Sequence, residues 1–190
     1  MNSTQQNLAT MFGKATTPSS RAKEVGRIVD TIVFHRDRYD EVVETLTTVP
    51  WWAVAVIHNM ECGLDFTKHL HNGDSLKRRT VNEPKGRPTT GNGPFSFLES
   101  AIDALRYDKA HIVTDWSIGP ALDWFERYNG VGYRNHKPAP VPSPYLWSFT
   151  DQYVKGKYVS DGKYDPNAVS QQAGVACVLK ELQKRGLVKF

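Results

Sequence analysis

Hydrophobic and polar positions alternate along the chain with helical periods far more than with strand periods. Val25, Ile28, Val29 and Ile32 fall at i, i+3, i+4 and i+7, one apolar helical face, and Thr17-Pro18-Ser19-Ser20 before them is a helix-start signal. The pattern resumes, after a break, with Tyr39, Val42, Val43 and Leu46. Pro50 opens a second helix, Trp51 to about Cys62, which Gly63 stops. Its run WWAVAVI is apolar almost all round, which predicts a helix buried at the centre of the fold. Ser96-Phe97-Leu98-Glu99 is a capping box ahead of the helix SFLESAIDALRY. Further helices are predicted over 117–128, ended by Asn129-Gly130, and from about Asn167 to Arg185.

Between them lie less regular stretches. Residues 63–95 are rich in glycine and proline and predict an irregular region or small hairpin, with any β element between 66 and 90. Such a long loop in a compact domain is usually functional or disordered, and its density of His, Asp and Thr favours a functional one. NHKPAPVPSPYLW, residues 135–147, predicts an extended, proline-rich path. Residues 1–20 are expected to form a polar N-terminal segment and 21–190 a single domain. The fold class is mainly α, with a small β or irregular region after the helix that ends near Cys62.

Composition narrows the function classes. With 39% hydrophobic and 23% charged residues the chain has the balance of a globular protein. The sequence holds no apolar run long enough for a membrane span, and its start, MNSTQQNLATMFGKATTPSSRAKE, has no signal-peptide core. It is therefore expected in the cytosol after synthesis, without stable membrane insertion. The net charge of +4 suits an anionic polymer. Nucleic acid is disfavoured: basic residues are scattered apart from Lys77-Arg78-Arg79, and no nucleic-acid-binding motif is present. Cys62 and Cys177 belong to no CxxC pair and are expected as free, partly buried thiols.

Glu61 is the central candidate for chemistry. A carboxyl group at the end of so apolar a helix is expected to be poorly solvated, which favours its neutral form. A neutral carboxylic acid is what glycosidic-bond cleavage needs to protonate the leaving oxygen. The alternative is a glutamate that faces solvent at a helix end. Asp74 could polarise a water or stabilise a cationic sugar, and the Thr80 hydroxyl could position that water. Alternatively Asn72-Gly73-Asp74 is simply a turn. His69 and His71 are expected on opposite sides of a strand, so that only one of them lines a site beside Glu61. His58 lies one turn before Glu61 and would orient it or bond within the core.

The segment Glu61-Cys62-Gly63-Leu64-Asp65-Phe66 resembles the end of the catalytic helix in goose-type lysozymes and soluble lytic transglycosylases, with Cys where that family usually has Ser. The Asp74 and Thr80 spacing is similar to that of the T-even phage lysozymes, with a longer gap from the glutamate. More broadly, HLHNGDSL, RTV, KGRP, ERYNGVGYR and PYLWSFTDQYVKGKYVSDGKYD, within residues 50–165, resemble a group of phage and prophage endolysins with a lysozyme-like fold. The resemblance implies a lysozyme-like single domain of two lobes and cleavage of the bond between N-acetylmuramic acid and N-acetylglucosamine. Glu61 would be the proton donor, with Asp74 and Thr80 beside it. His58, His71, Tyr128, Asn129, Gly130, Tyr133, Tyr145 and Trp147 would meet substrate, the YNG turn bordering the sugar sites. Without a placed water, the 6-hydroxyl of the sugar would attack instead and leave an anhydro product. No metal or cofactor is implied. The partner would be bacterial peptidoglycan, met by a monomer that waits in the host cytoplasm for a holin-like pore and acts in the periplasm during host lysis.

Two rivals come from other classes. His58, Glu61, His69, His71 and Asp74 could supply a zinc site for an amidase or peptidase, though no His-Glu-x-x-His motif is present. The aromatic residues with Lys155 and Lys157 would also suit a non-catalytic wall-binding module.

Overall fold

In the computed structural model, which describes residues 1–160 and 162–190, the local signals of the sequence mostly become the elements they predict. The helices are α1 (Ser3–Lys14), α2 (Ser19–Phe34), α3 (Arg36–Thr45), α4 (Trp51–Cys62), α5 (Phe97–Tyr107), α6 (Ile118–Tyr128), α7 (Pro144–Trp147) and α8 (Val175–Lys184). Two antiparallel strands, β1 (Lys157–Ser160) and β2 (Lys163–Asp165), form one small sheet. The chain is thus mainly α. It divides into two compact units: unit 1 is Met1–Val29 with Asp115–Phe190, and unit 2 is Asp30–Thr114. No helix among the described residues is long and apolar enough to cross a membrane.

Unit 2 is built around α4. Every residue from Trp52 to Asn59 is buried, as the all-round apolar pattern requires. Both α4 and α5 pack on α3. The Ser96 capping box closes as read: Ser96 Oγ accepts from the Glu99 N–H, and Glu99 accepts from the Ser96 N–H. Aromatic rings fill the space beside His58, where Phe66 and Phe97 lie with ring centres 4.3 and 4.6 Å from the imidazole. The Arg38 guanidinium covers the Phe66 ring at 3.8 Å.

Unit 1 departs from the sequence reading at its ends. The N-terminal segment is not merely polar. It forms α1, opened by an Asn2–Gln5 capping box, and α1 buries Leu8 and Phe12. This helix packs on α6, where Gly119 makes room: a β-carbon there would stand 2.5 Å from the Gln5 carbonyl oxygen. At the other end α8 starts at Val175, not near Asn167. Gly174 is its N-cap and lies against α7 so tightly that a β-carbon would be 2.7 Å from the Leu146 carbonyl oxygen. The chain before it, residues 166–173, turns and bends without forming a helix. Residues 144–147 are helical rather than extended. The β element also lies elsewhere than expected: the 66–90 region holds only an isolated Lys68–Ser75 bridge, whereas the sheet pairs Tyr158 with Tyr164.

Candidate functional site

Glu61 occupies the last turn of α4 and is partly buried. Gly63 ends that helix in the left-handed conformation (φ 59°, ψ 33°), its N–H donating to the Asn59 carbonyl. Cys62, buried beneath, donates its thiol to the His69 carbonyl at 3.3 Å. Burial pushes that thiol up to about 12, so it stays protonated and unreactive at neutral pH. The chain then returns in a tight turn, His69 N–H to the Asp74 carbonyl and Gly73 N–H to the His69 carbonyl. Gly73 (φ +76°) rests on the backbone of Glu61 itself: a β-carbon would lie 2.5 Å from the Glu61 oxygen. The end of α4 is therefore braced by the turn that carries Asp74.

Asp74 and Thr80 both serve this loop. One Asp74 oxygen accepts from the Val81 and Asn82 N–H groups at 2.8 and 2.9 Å, and the other from the Asn82 amide at 2.7 Å. Partial burial raises its affinity for a proton, but these donors outweigh it and hold the carboxyl below its ordinary range. Thr80 is buried; its hydroxyl donates to the Pro84 carbonyl and accepts from the Arg87 N–H at 2.9 Å. These hydrogen bonds tie both side chains into the loop, and one acceptor position of Asp74 Oδ1 is left over among the described residues.

The histidines do not alternate across a strand. Residues 69–74 turn, which brings the rings of His69 and His71 to 5.8 Å between centres. His69 is satisfied by Ser100 Oγ at 2.9 Å and the Arg78 carbonyl at 2.8 Å. His71 meets Asp103 at 2.8 Å, and Arg87 holds the same carboxylate with two donors. His58, expected beside substrate, is fully buried and bonds the Tyr39 hydroxyl at 3.0 Å. Its burial pushes the imidazole down to about 4, so it stays neutral, a core residue with no face to offer a sugar. No trio of His, Cys, Asp or Glu among the described residues is placed to hold a metal ion.

On unit 1 the predicted sugar-binding residues separate into two groups. Asn129, Gly130, Tyr133 and Tyr145 line a hollow of about 510 Å³, together with Gly132, Tyr158, Val159 and Ser160. Asn129 caps α6 by donating to the Phe125 carbonyl, and Gly130 follows at φ +91°, so the turn signal and the hollow share residues. The Tyr133 hydroxyl accepts from the Tyr158 N–H at 2.9 Å, which fixes three rings around the opening: Tyr158 and Tyr145 stand edge-on to Tyr133 at 5.0 and 5.8 Å. Trp147 lies outside this hollow; it is only 2% exposed and packs in the core. Tyr128 stacks on Trp124, a turn before it on α6. Tyr158 is the aromatic lining residue that the sequence candidates did not include. It belongs to the aromatic-rich stretch of the sequence, but only the β1–β2 pairing brings it to Tyr133 from so far along the chain.

Comparison with known proteins gives no matching family model, no matching curated protein and no matching solved structure.

Proposed function

We propose that the chain is a peptidoglycan-cleaving glycosidase of the endolysin kind, which opens the bond between N-acetylmuramic acid and N-acetylglucosamine with Glu61 as general acid. The observation that carries this reading is the setting of Glu61. It is a partly buried carboxyl group on the last turn of an otherwise buried apolar helix, braced from behind by Gly73. A braced helix end suits proton delivery, because the acid must stay in line with the bridging oxygen as the bond breaks. In that step Glu61 gives its proton to the leaving oxygen and the anomeric carbon becomes cationic. The tyrosine hollow of unit 1 adds support, since aromatic rings stack on the apolar faces of sugars.

Two outcomes follow for the cation: attack by water, giving a muramidase, or attack by the sugar's own 6-hydroxyl, giving a lytic transglycosylase. One observation favours the second. Asp74 accepts three hydrogen bonds and the Thr80 hydroxyl both donates and accepts, all within this loop, so both side chains serve its structure. In the intramolecular route the Glu61 carboxylate takes back the proton of the 6-hydroxyl, which closes a 1,6-anhydro ring and needs no placed water.

Mass spectrometry of fragments released from purified Gram-negative peptidoglycan tests both points, with Glu61→Gln in parallel. Anhydro-muropeptides that vanish in the variant are the expected result. Reducing-end muropeptides would keep Glu61 in its role but give the hydrolase. Free stem peptides, or undiminished cleavage by Glu61→Gln, would overturn the reading.

A further inference from the structure

A second hollow, of about 210 Å³, lies in unit 1 between α1 and the segment that leads into α7. Its walls are apolar: Leu8 and Met11 from α1, Val141 and Trp147 opposite. Glu126 of α6 lines it, and both Glu126 and Asp123, one helical turn earlier, are buried. Arg134 answers both, donating to Asp123 at 2.7 Å and through Nε to Glu126 Oε2 at 2.9 Å. Arg127 adds a bond to Asp123 at 3.1 Å. Two negative and two positive charges therefore balance, and no net charge is left to attract an ion.

Hydrogen-bonding capacity is left over. The Glu126 side chain is 7% exposed, yet only its Oε2 has a partner among the described residues, which leaves Oε1 as an acceptor. Arg134 uses Nε and Nη2, which leaves Nη1 as a donor. Ser143, 1% exposed on the wall of the same hollow, has a buried hydroxyl with no partner among the described residues. Buried polar groups are normally satisfied, so the unpartnered Ser143 hydroxyl beside an apolar wall, with spare acceptor and donor capacity on Glu126 and Arg134 in the same lining, calls for a ligand.

A neutral group with one N–H, one C=O and a small apolar end matches that inventory. We propose that this hollow binds the acetamido group of an N-acetylated sugar. The N–H donates to Glu126, the carbonyl accepts from Arg134 or Ser143, and the methyl lies on Leu8 and Val141. A hollow of this volume has room for several waters, and so for an acetamido group with part of its ring. A peptide amide offers the same N–H and C=O but continues as chain at both ends, where the acetamido group ends in a methyl. The proposal deepens the glycan reading and rests on it only in taking the polymer to be N-acetylated.

The test is a backbone and guanidinium NMR titration of the full chain with N-acetylglucosamine, with glucose and alanyl-alanine amide as controls. N-acetylglucosamine should shift signals at residues 141–143, Asn7 and the Arg134 guanidinium, while glucose leaves them in place. Val141→Trp fills the hollow and should weaken binding at least about tenfold; Ser143→Ala removes one hydroxyl and should weaken it by several-fold while leaving the melting temperature near wild type. Equal shifts with glucose, a stronger response to the peptide amide, unchanged affinity in both hollow variants, or shifts confined to Tyr133, Tyr145 and Tyr158 would each overturn it. Cleavage of peptidoglycan is scored separately: lysis without this binding removes the acetamido site alone, and binding without lysis removes the Glu61 reading alone.

Discussion

Gly73 presses on the carbonyl oxygen of Glu61, with no room for a β-carbon between them. Both atoms involved are backbone, so neither can swing aside. Gly73→Ala should therefore displace the turn or the end of α4, beyond the roughly 1–2 kcal/mol that an alanine costs in the left-handed conformation. Gly63→Ala has the same backbone penalty, but a β-carbon there meets nothing within 4 Å. The expected pattern is a modest loss of melting temperature in both variants, with peptidoglycan cleavage falling at least tenfold more in Gly73→Ala. Equal losses would show that the brace does not position Glu61.

Asp74 offers a second contrast. Asp74→Asn removes the charge and one of the acceptor positions used by Val81, Asn82 and the Asn82 amide, which should cost roughly 1–3 kcal/mol in local stability. Amide hydrogen exchange at Val81 and Asn82 should speed up accordingly. Because the folded carboxyl lies below its ordinary range, its contribution is present above that range and fades as the pH falls through the folded value. If anhydro products form, cleavage should survive in this variant at a reduced rate; its complete loss with the fold intact would return Asp74 to a chemical role.

Stability between about pH 4 and 6 should show two opposed titrations. Burial holds His58 down to about 4, so its contribution is complete above the ordinary histidine value and is lost as pH falls toward 4. Burial raises Asp108 to about 6, so its contribution is complete at acid pH and is lost as pH rises through 6. In the wild type the two partly offset. Asp108→Asn should expose the His58 effect, a loss approaching about 3 kcal/mol on acidification from pH 6.5 to 4. Denaturant unfolding across that range checks it, and a pH profile unchanged by Asp108→Asn would contradict it.

Tyr145 and Trp147, two residues apart, should part company under mutation. Trp147→Ala empties a core position and should cost about 3–5 kcal/mol. Tyr145, 37% exposed, stands at the rim of the tyrosine hollow, so Tyr145→Ala should leave stability nearly intact and weaken binding to chitin oligosaccharides. Unfolding curves and affinity measurements on both variants separate the two roles; matching binding losses with matching stability losses would not fit this assignment.

What the sequence made legible follows the range of the interactions involved. The limits of α4, its stop at Gly63 and the Ser96 capping box depend on neighbours within four residues, and the local pattern suffices for them. The start of α8 depends on Gly174 meeting Leu146, a contact between separate segments that periodicity does not contain. α1 was within reach: Asn2 and Gln5 have capping-box spacing, and Leu8, Met11 and Phe12 recur at one helical face. The polar residues around them hid that pattern. In the site, Glu61 stood out because a charge at the end of an apolar helix is a local anomaly. The hydrogen-bond partners of Asp74, Thr80 and His58 were not legible, because Val81, Arg87 and Tyr39 are chosen by how the loop and α3 fold back. The Glu126–Arg134 pair shows no pattern along the chain, since eight residues separate its members.

The discontinuity of unit 1 sets an order on biosynthesis. Unit 2 is one uninterrupted stretch and can complete its core around α4 as soon as Thr114 has left the ribosome. α1, although made before unit 2, must wait with Leu8 and Phe12 uncovered for segments made after it: α6, on which it packs, and Lys180 and Phe190, which meet the Phe12 ring. During that interval the apolar face of α1 stays open to other chains.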